Sequence, residues 1–272
     1  MRSRSASRSL PPRARRSFPP RSRERRVAPP VIELVGVAKD YGSGASRRSA
    51  LAGIDITIAE GEFVSIMGPS GCGKTTVLNL VAGFDAPTRG EVKVLGRNLA
   101  DMREAERSRH RARHVGFVVQ SFDLLPRLTV EENVTLRLGS IGVSGRVAID
   151  RSRRLLREVG IDETLWRRHP GELSGGQQQR VAVARALVAE PTIVLADEPT
   201  GNLDSTTSAV VLDLLRALNV QRGTSVVMVT HDHFAAGYGH RTLEMVDGRI
   251  VLEIGLPRHA VRSSAPLPFL RT

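Results

Sequence analysis

From residue 31 onward, short apolar runs alternate with segments of helical periodicity. The runs 193–196 and 226–229 are continuously apolar, which is typical of parallel strands buried on both faces of a sheet. The pattern predicts strands at 31–37, 54–58, 62–67, 91–95, 115–119, 193–197, 225–230, 242–246 and 249–253. It predicts helices at 73–82, 130–138, 147–159, 175–189 and 205–219. This alternation indicates an α/β fold with a mostly parallel sheet.

The middle of the chain, roughly residues 121–175, has helical periodicity and lacks strand signals. We interpret it as a helical subdomain inserted into the core of one domain that spans residues 31–254. Residues 255–272 contain three prolines and two serines and are predicted to form a loose tail.

The first 30 residues differ from the rest in composition. They are Arg, Ser or Pro at 22 of 30 positions, which leaves too little apolar surface to offset the entropy of ordering, so we predict a disordered arm. The arm supplies +9 of the formal net charge of +12, and residues 31–272 carry only +3. The basic balance is therefore weak support for a nucleic-acid-binding domain. The arm itself has four interpretations: a solvated tail, a start site assigned too early, a transit peptide, or a segment that contacts anionic lipid or RNA.

Cysteine content and hydropathy narrow the class of protein. The single cysteine, Cys72, excludes an intramolecular disulfide framework and a zinc site built from cysteines. No apolar run reaches the roughly 18–20 residues that span a bilayer. If the protein works at a membrane, we expect another chain to supply the span.

The segment from Gly68 to Thr76 matches the phosphate-binding pattern G-x-x-x-x-G-K-[ST] between a predicted strand and an apolar helix. Glycines let backbone N–H groups surround a phosphate, and the helix N-terminus adds partial positive charge. Lys74 is expected to neutralise the β- and γ-phosphates, and the Thr75 hydroxyl to ligate Mg²⁺. The expected nucleotide-binding residues are Gly68, Pro69, Ser70, Gly71, Cys72, Gly73, Lys74, Thr75 and Thr76.

Two acids, Asp197 and Glu198, end the apolar strand predicted at 193–197. Because phosphate loops lie at the carboxyl edge of a parallel sheet, we expect both acids beside the loop. Asp197 can hold Mg²⁺, directly or through water, and Glu198 can orient or deprotonate an attacking water. Together with the phosphate loop, this pair predicts a nucleotide-hydrolysing site.

The segment Leu173-Ser-Gly-Gly-Gln-Gln-Gln-Arg180 resembles the signature motif of the ATP-binding cassette (ABC) ATPases. Ser174 precedes Asp197 by 23 residues, as in that family. The resemblance extends over residues 31 to about 254. The other matching positions are Tyr41 (the aromatic that stacks on adenine), Gln120 (the Q-loop), Asp204 (at the end of the D-loop Gly201-Asn-Leu-Asp204) and His231 (the switch histidine).

This resemblance implies a P-loop nucleotide-binding domain with a mostly parallel sheet core, an antiparallel β subdomain and a helical subdomain. It also implies an ATPase with ATP and Mg²⁺ as its cofactors. Two copies of the chain are expected to pack head to tail, so that Ser174, Gly175 and Gly176 of one copy close over the γ-phosphate held by the other. The implied catalytic residues are Glu198 and His231, the further ATP contacts are Tyr41, Gln120 and Asp204, and the metal ligands are Thr75, Gln120 and Asp197.

Three longer stretches, 62–71, 78–91 and 116–133, resemble the lipoprotein-releasing and macrolide-exporting group of the family. That group implies a separate membrane permease as partner and a peripheral location on the cytoplasmic face of the cell membrane. Residues 122–128 are expected to form the groove for the permease or, equally, to belong to the core. Because the permease binds the substrate in this family, the sequence leaves open what is transported and whether export or envelope remodelling is driven.

An ABC ATPase that acts on nucleic acid is the alternative class. Repair and chromosome-structure members insert long coiled coils between phosphate loop and signature, whereas Lys74 and Ser174 are only 100 residues apart. Translation-type members carry two cassettes, and this chain has one. A basic nucleic-acid-binding module with an incidental ATPase rests on residues 1–30 alone. The sequence therefore favours a transport or mechanotransmission ATPase.

Overall fold

A computed structural model describes residues 30–255. The predicted arm, apart from Pro30, and the tail from residue 256 onward lie outside the described residues. The first described element is a strand that begins at Pro30, and the last is a strand that ends at Gly255. Within this range, no helix is long and apolar enough to cross a membrane.

The described residues form ten strands and seven α-helices. The strands are β1 (Pro30–Tyr41), β2 (Arg48–Ala59), β3 (Phe63–Met67), β4 (Arg89–Val94), β5 (Arg97–Asn98), β6 (Val115–Val119), β7 (Ile193–Asp197), β8 (Ser225–Thr230), β9 (Arg241–Val246) and β10 (Arg249–Gly255). The helices are α1 (Lys74–Val81), α2 (Glu104–His114), α3 (Val130–Gly139), α4 (Gly145–Glu158), α5 (Gly175–Leu187), α6 (Ser205–Arg222) and α7 (His233–Ala236). Short 3-10 turns lie at Gly44–Ser46, Leu99–Asp101, Glu163–Leu165 and Pro170–Glu172.

The strands form two sheets. The larger has the order β10-β9-β3-β8-β7-β6, and its pairings are parallel except for the antiparallel hairpin of β9 and β10. The smaller has the order β2-β1-β4-β5 and is antiparallel. The predicted α/β class, with a mostly parallel core and an antiparallel β subdomain, is confirmed.

Every predicted strand and helix is present. The strands at 115–119, 193–197 and 225–230 have the predicted bounds, and the other elements have shifted ends. The pattern does not predict α2, β5 or α7. Helix α2 buries only His110, so it has no apolar stripe for periodicity to detect. Glu104 and Glu106 lie in its first turn, and Arg111 and Arg113 in its last. These charges complement the helix dipole and stabilise the helix without an apolar face.

The larger sheet separates two apolar cores. In β8, Val226 and Met228 belong to one core, and Val227 and Val229 belong to the other. The first core includes residues of α3–α6, and the second includes residues of α1 and of the smaller sheet. Burial on both faces explains why the run 226–229 is continuously apolar.

The parallel register brings the carboxyl ends of three strands to one edge of the larger sheet. Met67 of β3 pairs with Thr230 of β8, and Asp197 of β7 pairs with Val229 of β8. The phosphate loop follows β3, and the predicted acids and histidine end or follow β7 and β8. Residues from three distant parts of the sequence therefore meet at this edge.

The region between β6 and β7 contains α3, α4 and α5 and, among its described residues, no strand.

The amide of Asn133, on α3, fixes the segment that enters this region. Its Oδ1 accepts from the N–H of Leu125 at 2.7 Å, and its Nδ2 donates to the carbonyl oxygens of Leu125, Leu128 and Thr129. Because Asn133 is fully buried, no water can replace these bonds.

Replacing Asn133 with Leu is expected to lower the free energy of unfolding by about 1–3 kcal/mol, because buried backbone groups of the entering segment lose their partner. Urea-induced unfolding measures the change. Leu136→Ala, at a 54% exposed position of the same helix, is the control and should shift it by less than about 0.5 kcal/mol. Equal stability of Asn133→Leu and the unmodified protein would show that this side chain does not hold the segment.

Candidate nucleotide-binding and catalytic site

The phosphate loop runs from β3 to α1 and depends on two glycines at which a side chain would not fit. Gly73 precedes α1 with φ of +108°, a left-handed conformation in which a side chain would be strained. Gly68 leaves β3 so close to Met245 that a Cβ atom would lie 2.1 Å from the Met245 carbonyl oxygen. Because no side chain fills these positions, the loop can turn its N–H groups toward a phosphate.

Lys74 opens α1, and its side chain turns back into the loop. Its Nζ donates to the carbonyl oxygens of Gly68 at 2.7 Å and Pro69 at 3.0 Å, and the residue is only 7% exposed. A nearly buried ammonium group is thus fixed beside the N-terminal end of the α1 dipole. This arrangement suits a polyanion such as the phosphates of a nucleotide.

Thr75 and Asp197 meet where the phosphate loop passes the end of β7. The Thr75 hydroxyl donates to Asp197 Oδ1 at 3.3 Å. Burial raises the pKa of Asp197, and the charge of Glu198 acts in the same direction, while the Thr75 hydrogen bond and Lys74 oppose the shift. The charged form of Asp197 is therefore less favourable than that of a carboxylate in water.

Glu198 and His231 form a hydrogen-bonded pair, with 2.9 Å between Glu198 Oε1 and His231 Nδ1. Glu198 has φ of +46° where the chain leaves β7, and its N–H donates to the carbonyl oxygen of Val229 at 3.0 Å. A left-handed conformation of a non-glycine residue is a strain that clusters at active sites. The His231 side chain is 63% exposed and that of Glu198 17%, so the carboxylate is the more sheltered partner.

The Q-loop and the D-loop contact each other. Gln120 Nε2 donates to Asn202 Oδ1, and Asn202 Nδ2 donates to the backbone carbonyl of Gln120, each at 3.1 Å. A Cβ atom at Gly201 would lie 2.6 Å from Gln120 Nε2. Gln120, predicted as a contact for nucleotide and metal, is thus held against the D-loop in this structure.

Asp204 caps helix α6. Its carboxylate accepts from the Thr207 N–H at 3.0 Å and from the Thr207 hydroxyl at 2.7 Å. These hydrogen bonds lower the pKa of Asp204, because they favour its charged form. Asp204, which is predicted to contact ATP, thus caps a helix of its own chain in this structure.

The signature residues begin helix α5. Ser174 and Gln177 form a capping box, in which the Ser174 N–H donates to Gln177 Oε1 at 2.8 Å and the Gln177 N–H donates to Ser174 Oγ at 3.3 Å. Gly175 starts the helix, and Gly176 lies so close to α6 that a Cβ atom would be 2.2 Å from Thr207 Cγ2. Helix α5 packs on α3, α4, α6 and β6, whereas α1 packs on β4, β7 and β8. The signature and the phosphate loop thus belong to separately packed parts of the chain.

Tyr41 ends β1, and the residue is 43% exposed. Its hydroxyl donates to Asp85 Oδ2 at 2.9 Å, and Lys39 Nζ lies 4.9 Å from the ring centroid and 2.6 Å from Asp85 Oδ1. Burial raises the pKa of Tyr41 and Asp85 adds to the shift, while a hydrogen bond with Thr76 opposes it. The contact with Thr76 brings the ring to the helix of the phosphate loop.

Three residues that position the site are not found by sequence reasoning. Lys39 and Asp85 orient Tyr41, and Asn202 holds Gln120. Lys39 and Asp85 belong to no motif, and Asn202 lies in the D-loop with nothing in its local pattern to indicate a partner 82 residues away. Only the folded chain brings these groups together.

Comparison with known proteins shows the family of the chain. The model of the ABC transporter family matches residues 51–201. A lipoprotein-releasing system ATP-binding protein, LolD of Anaeromyxobacter dehalogenans, is 47% identical over 230 residues, which cover 84% of this chain and 95% of the relative. The bacitracin export ATP-binding protein BceA of Halalkalibacterium halodurans is 40% identical and covers 82% of this chain and 88% of the relative.

A solved structure has the same fold. The ATP-binding cassette MJ0796, described as a dimer in a post-hydrolysis state bound to ADP and Pi, superposes with a TM-score of 0.78 at 42% identity. The match covers 83% of this chain and 99% of that one.

The two sheets, the phosphate loop and the acid–histidine pair define a cassette-type ATPase. The chain belongs to the ABC transporter family and is an ATP-binding, ATP-hydrolysing subunit of an ABC transporter. The resemblance and the ATPase activity predicted from the motifs are confirmed.

Asp197→Asn is expected to raise the melting temperature of the nucleotide-free protein at neutral pH, because it removes a partly buried charge whose pKa is raised by that burial. The gain should shrink as the pH falls through the raised pKa, since the unmodified carboxyl then becomes neutral as well. Thermal unfolding over a series of pH values measures both effects.

Asp204→Asn is the control of opposite sign. Because the pKa of Asp204 is lowered, its charged form is the favoured one, and the substitution should lower the melting temperature at neutral pH. That difference should vanish on acidification. A melting temperature for Asp197→Asn that never exceeds that of the unmodified protein would contradict the cost assigned to its charge.

Proposed function

We propose that this chain drives a separate membrane permease, and that two copies of it close head to tail over two ATP molecules. The observation that carries the proposal is the Glu198–His231 contact at the same sheet edge as Lys74 and the Thr75–Asp197 pair. A candidate base, a phosphate-binding charge and an oxygen-ligand pair in one place suit hydrolysis of a nucleoside triphosphate.

In this proposal the phosphate loop, residues 68–76, binds the triphosphate through its backbone N–H groups. Lys74 neutralises charge on the β- and γ-phosphates from its fixed position in the loop. The exposed ring of Tyr41 stacks on the adenine, and Asp85 and Lys39 hold the ring in place.

Mg²⁺ is the metal that the donor groups fit. The Thr75 hydroxyl and the Asp197 carboxylate are hard oxygen ligands that already lie together, and the Gln120 side chain offers a third oxygen. In residues 30–255, no group of three or more His, Cys, Asp or Glu side chains could hold a metal ion. A site with few protein ligands suits Mg²⁺, which keeps waters and takes phosphate oxygens. The bound ion would neutralise phosphate charge.

Glu198 acts as the general base. Its carboxylate accepts the proton of the attacking water, and His231 holds the carboxylate in place through the 2.9 Å contact. The backbone of Glu198 is left-handed at the point where the chain leaves β7, and its side chain contacts His231. Asp197 and Glu198 thus serve different purposes although they are adjacent in sequence.

The head-to-tail dimer follows from the separation of two anion-binding features. The N–H groups at the start of α5, beside Ser174, Gly175 and Gly176, form a second helix terminus that suits phosphate. Because α5 and α1 pack on different elements, the signature of one copy serves the phosphate loop of the other. The dimeric description of the MJ0796 cassette supports this arrangement, and Gln120 and Asp204 then lie near the shared nucleotide.

The permease docks beside α3. A cavity of about 320 Å³ there is lined by Phe117, Leu136, Arg137, Ser140, Arg185 and Ala186. Phe84 is 57% exposed and packs its ring on that of Phe117, with 5.8 Å between the centroids. Arg185 donates to the carbonyl oxygens of residues 122 and 123, so the cavity adjoins the segment predicted to form the groove. Within that segment Leu124 packs on the core and Leu125 is 43% exposed, so both interpretations apply.

Docking on a permease places the chain at the cytoplasmic face of the cell membrane. The related LolD is named for lipoprotein release and the related BceA for bacitracin export. We infer that the ATPase is the part these systems share, and that the permease sets the substrate.

Glu198→Gln is the test of the catalytic assignment. The substitution keeps shape and hydrogen bonding but removes the basic carboxylate, so turnover should fall by about 10²-fold or more. ATP binding should persist and hold two copies together, because binding to the dimer alone shifts the equilibrium by mass action. Steady-state turnover and size-exclusion chromatography with Mg-ATP or ADP measure the two effects.

The matched control adds Ser174→Arg to Glu198→Gln. The arginine blocks the partner's phosphate, so the double variant should stay monomeric with Mg-ATP. Turnover of Glu198→Gln close to that of the unmodified enzyme would remove Glu198 as the base. Loss of turnover without ATP-dependent dimers, even at high protein concentration, would refute the head-to-tail arrangement.

Phe84→Asp tests the docking surface. A charge in place of the exposed ring should prevent an apolar partner surface from seating there. A tagged chain purified from detergent-solubilised membranes should carry a multi-span membrane protein with it, and Phe84→Asp should lose that protein. Val220→Asp, at a 66% exposed position of α6, is the control and should retain it. Retention by Phe84→Asp would place the permease elsewhere.

A further inference from the structure

Gln179 lies in the first turns of α5 and is fully buried. Its Nε2 donates to the carbonyl oxygen of Pro199 and, at 3.4 Å, to that of Val119. These two carbonyls belong to different segments: Pro199 follows Glu198 after β7, and Val119 ends β6 and precedes Gln120. One side-chain amide therefore joins three parts of the site.

The orientation of this amide follows from its neighbours. Both partners are carbonyl oxygens, which only accept hydrogen bonds, so the NH₂ group must face them. Gln179 Oε1 is then directed elsewhere and has no hydrogen-bond partner in the described part of the chain. A buried acceptor without a partner is unfavourable, whereas the two donated bonds pair carbonyl oxygens that an apolar side chain would leave unpaired. The two carbonyl groups that it holds therefore set the orientation of the amide.

Each of those bonds is made to the residue next to a proposed site residue: Pro199 follows Glu198, and Val119 precedes Gln120. Glu198 leaves β7 in a left-handed conformation, and the next carbonyl along the chain is the one that Gln179 holds. The hydrogen bond between the Gln120 and Asn202 side chains is exposed to solvent. The Gln179 bonds form a second link between the end of β6 and the segment after β7, and this link is buried at Pro199 and partly buried at Val119.

We propose that Gln179 is a positioning residue, which ties the helix that begins with the signature to the loops carrying Glu198 and Gln120. Movement of Ser174–Gly176 when they engage the partner's nucleotide is thereby transmitted along less than two turns of α5 to Glu198. The inference rests on the roles of Glu198 and of the signature under the proposed function. Gln179 is fully buried and acts through the loops that it holds.

Gln179→Met tests this inference, because Met keeps the size and loses both donated bonds. We expect kcat for ATP to fall at least about tenfold, since small displacements of a catalytic group cost up to about 10²-fold, while KM changes by less than about twofold. Val183→Ala, one turn further along α5 and fully buried, is the control for a loosened helix. It should lower the melting temperature and leave kcat within about twofold of the unmodified protein.

Gln179→Glu supplies a readout that a purely structural role would not change. A carboxylate facing two carbonyl oxygens repels both loops, whereas a protonated carboxyl can donate to Pro199 again. Burial favours the protonated form, so the ratio of kcat for Gln179→Glu to kcat for the unmodified enzyme should rise as the pH falls from about 8 to about 6. The ratio for Gln179→Met should stay constant over the same range.

The outcomes separate this inference from the proposed function. If Glu198→Gln abolishes turnover while Gln179→Met retains it, or if Val183→Ala loses as much kcat as Gln179→Met, the positioning role is overturned. A flat pH ratio for Gln179→Glu overturns it as well. If Glu198→Gln retains turnover, the proposed function itself has failed, whatever the Gln179 variants do.

Discussion

The parallel pairing of β3 with β8 and of β8 with β7 is the constraint on which the site depends. It brings the loop after β3, the acids that end β7 and the histidine after β8 to one edge of the sheet. These strands are buried on both faces, and a shift of one residue would exchange the side chains that enter the two cores. The packing of the cores therefore fixes the strand register and, through it, the relative positions of the catalytic groups.

Much of this could be predicted from the sequence, because both main signals are local. The periodicity of apolar residues and the continuous apolar runs predict the central strands. The phosphate loop is a contiguous motif, and its Gly68 and Gly73 lie where a side chain would collide with neighbouring atoms. Helix α2 could not be predicted, since charges at its ends stabilise it instead of an apolar stripe. Lys39, Asn202 and Gln179 could not be predicted either, because their partners lie tens of residues away. Position in space gives those side chains their role, and no local pattern encodes it.

Several groups predicted to contact ATP already have partners within the chain. Lys74 donates to two loop carbonyls, Ser174 and Asp204 cap their own helices, and Gln120 bonds Asn202. ATP binding must exchange such hydrogen bonds, and each exchange contributes little net free energy. The present contacts preserve the shape of the site, while affinity has to come from the few new interactions, such as charge neutralisation at Lys74 and stacking on Tyr41 in the proposed function. Weak binding to a single copy follows from this balance.

Three unfavourable features of the molecule lie at the same edge. Asp197 has a destabilised charge, Glu198 a left-handed backbone, and Gln179 a buried acceptor without a partner in the described residues. The two cores beneath the edge keep these features in place. A ligand shifts a conformational equilibrium only through its different affinities for the two states. The signature and the phosphate loop of one copy pack on different elements, and the head-to-tail dimer lets ATP bridge both kinds of site between two copies. Its binding free energy is therefore directed into closing the dimer, which is the movement a permease can use.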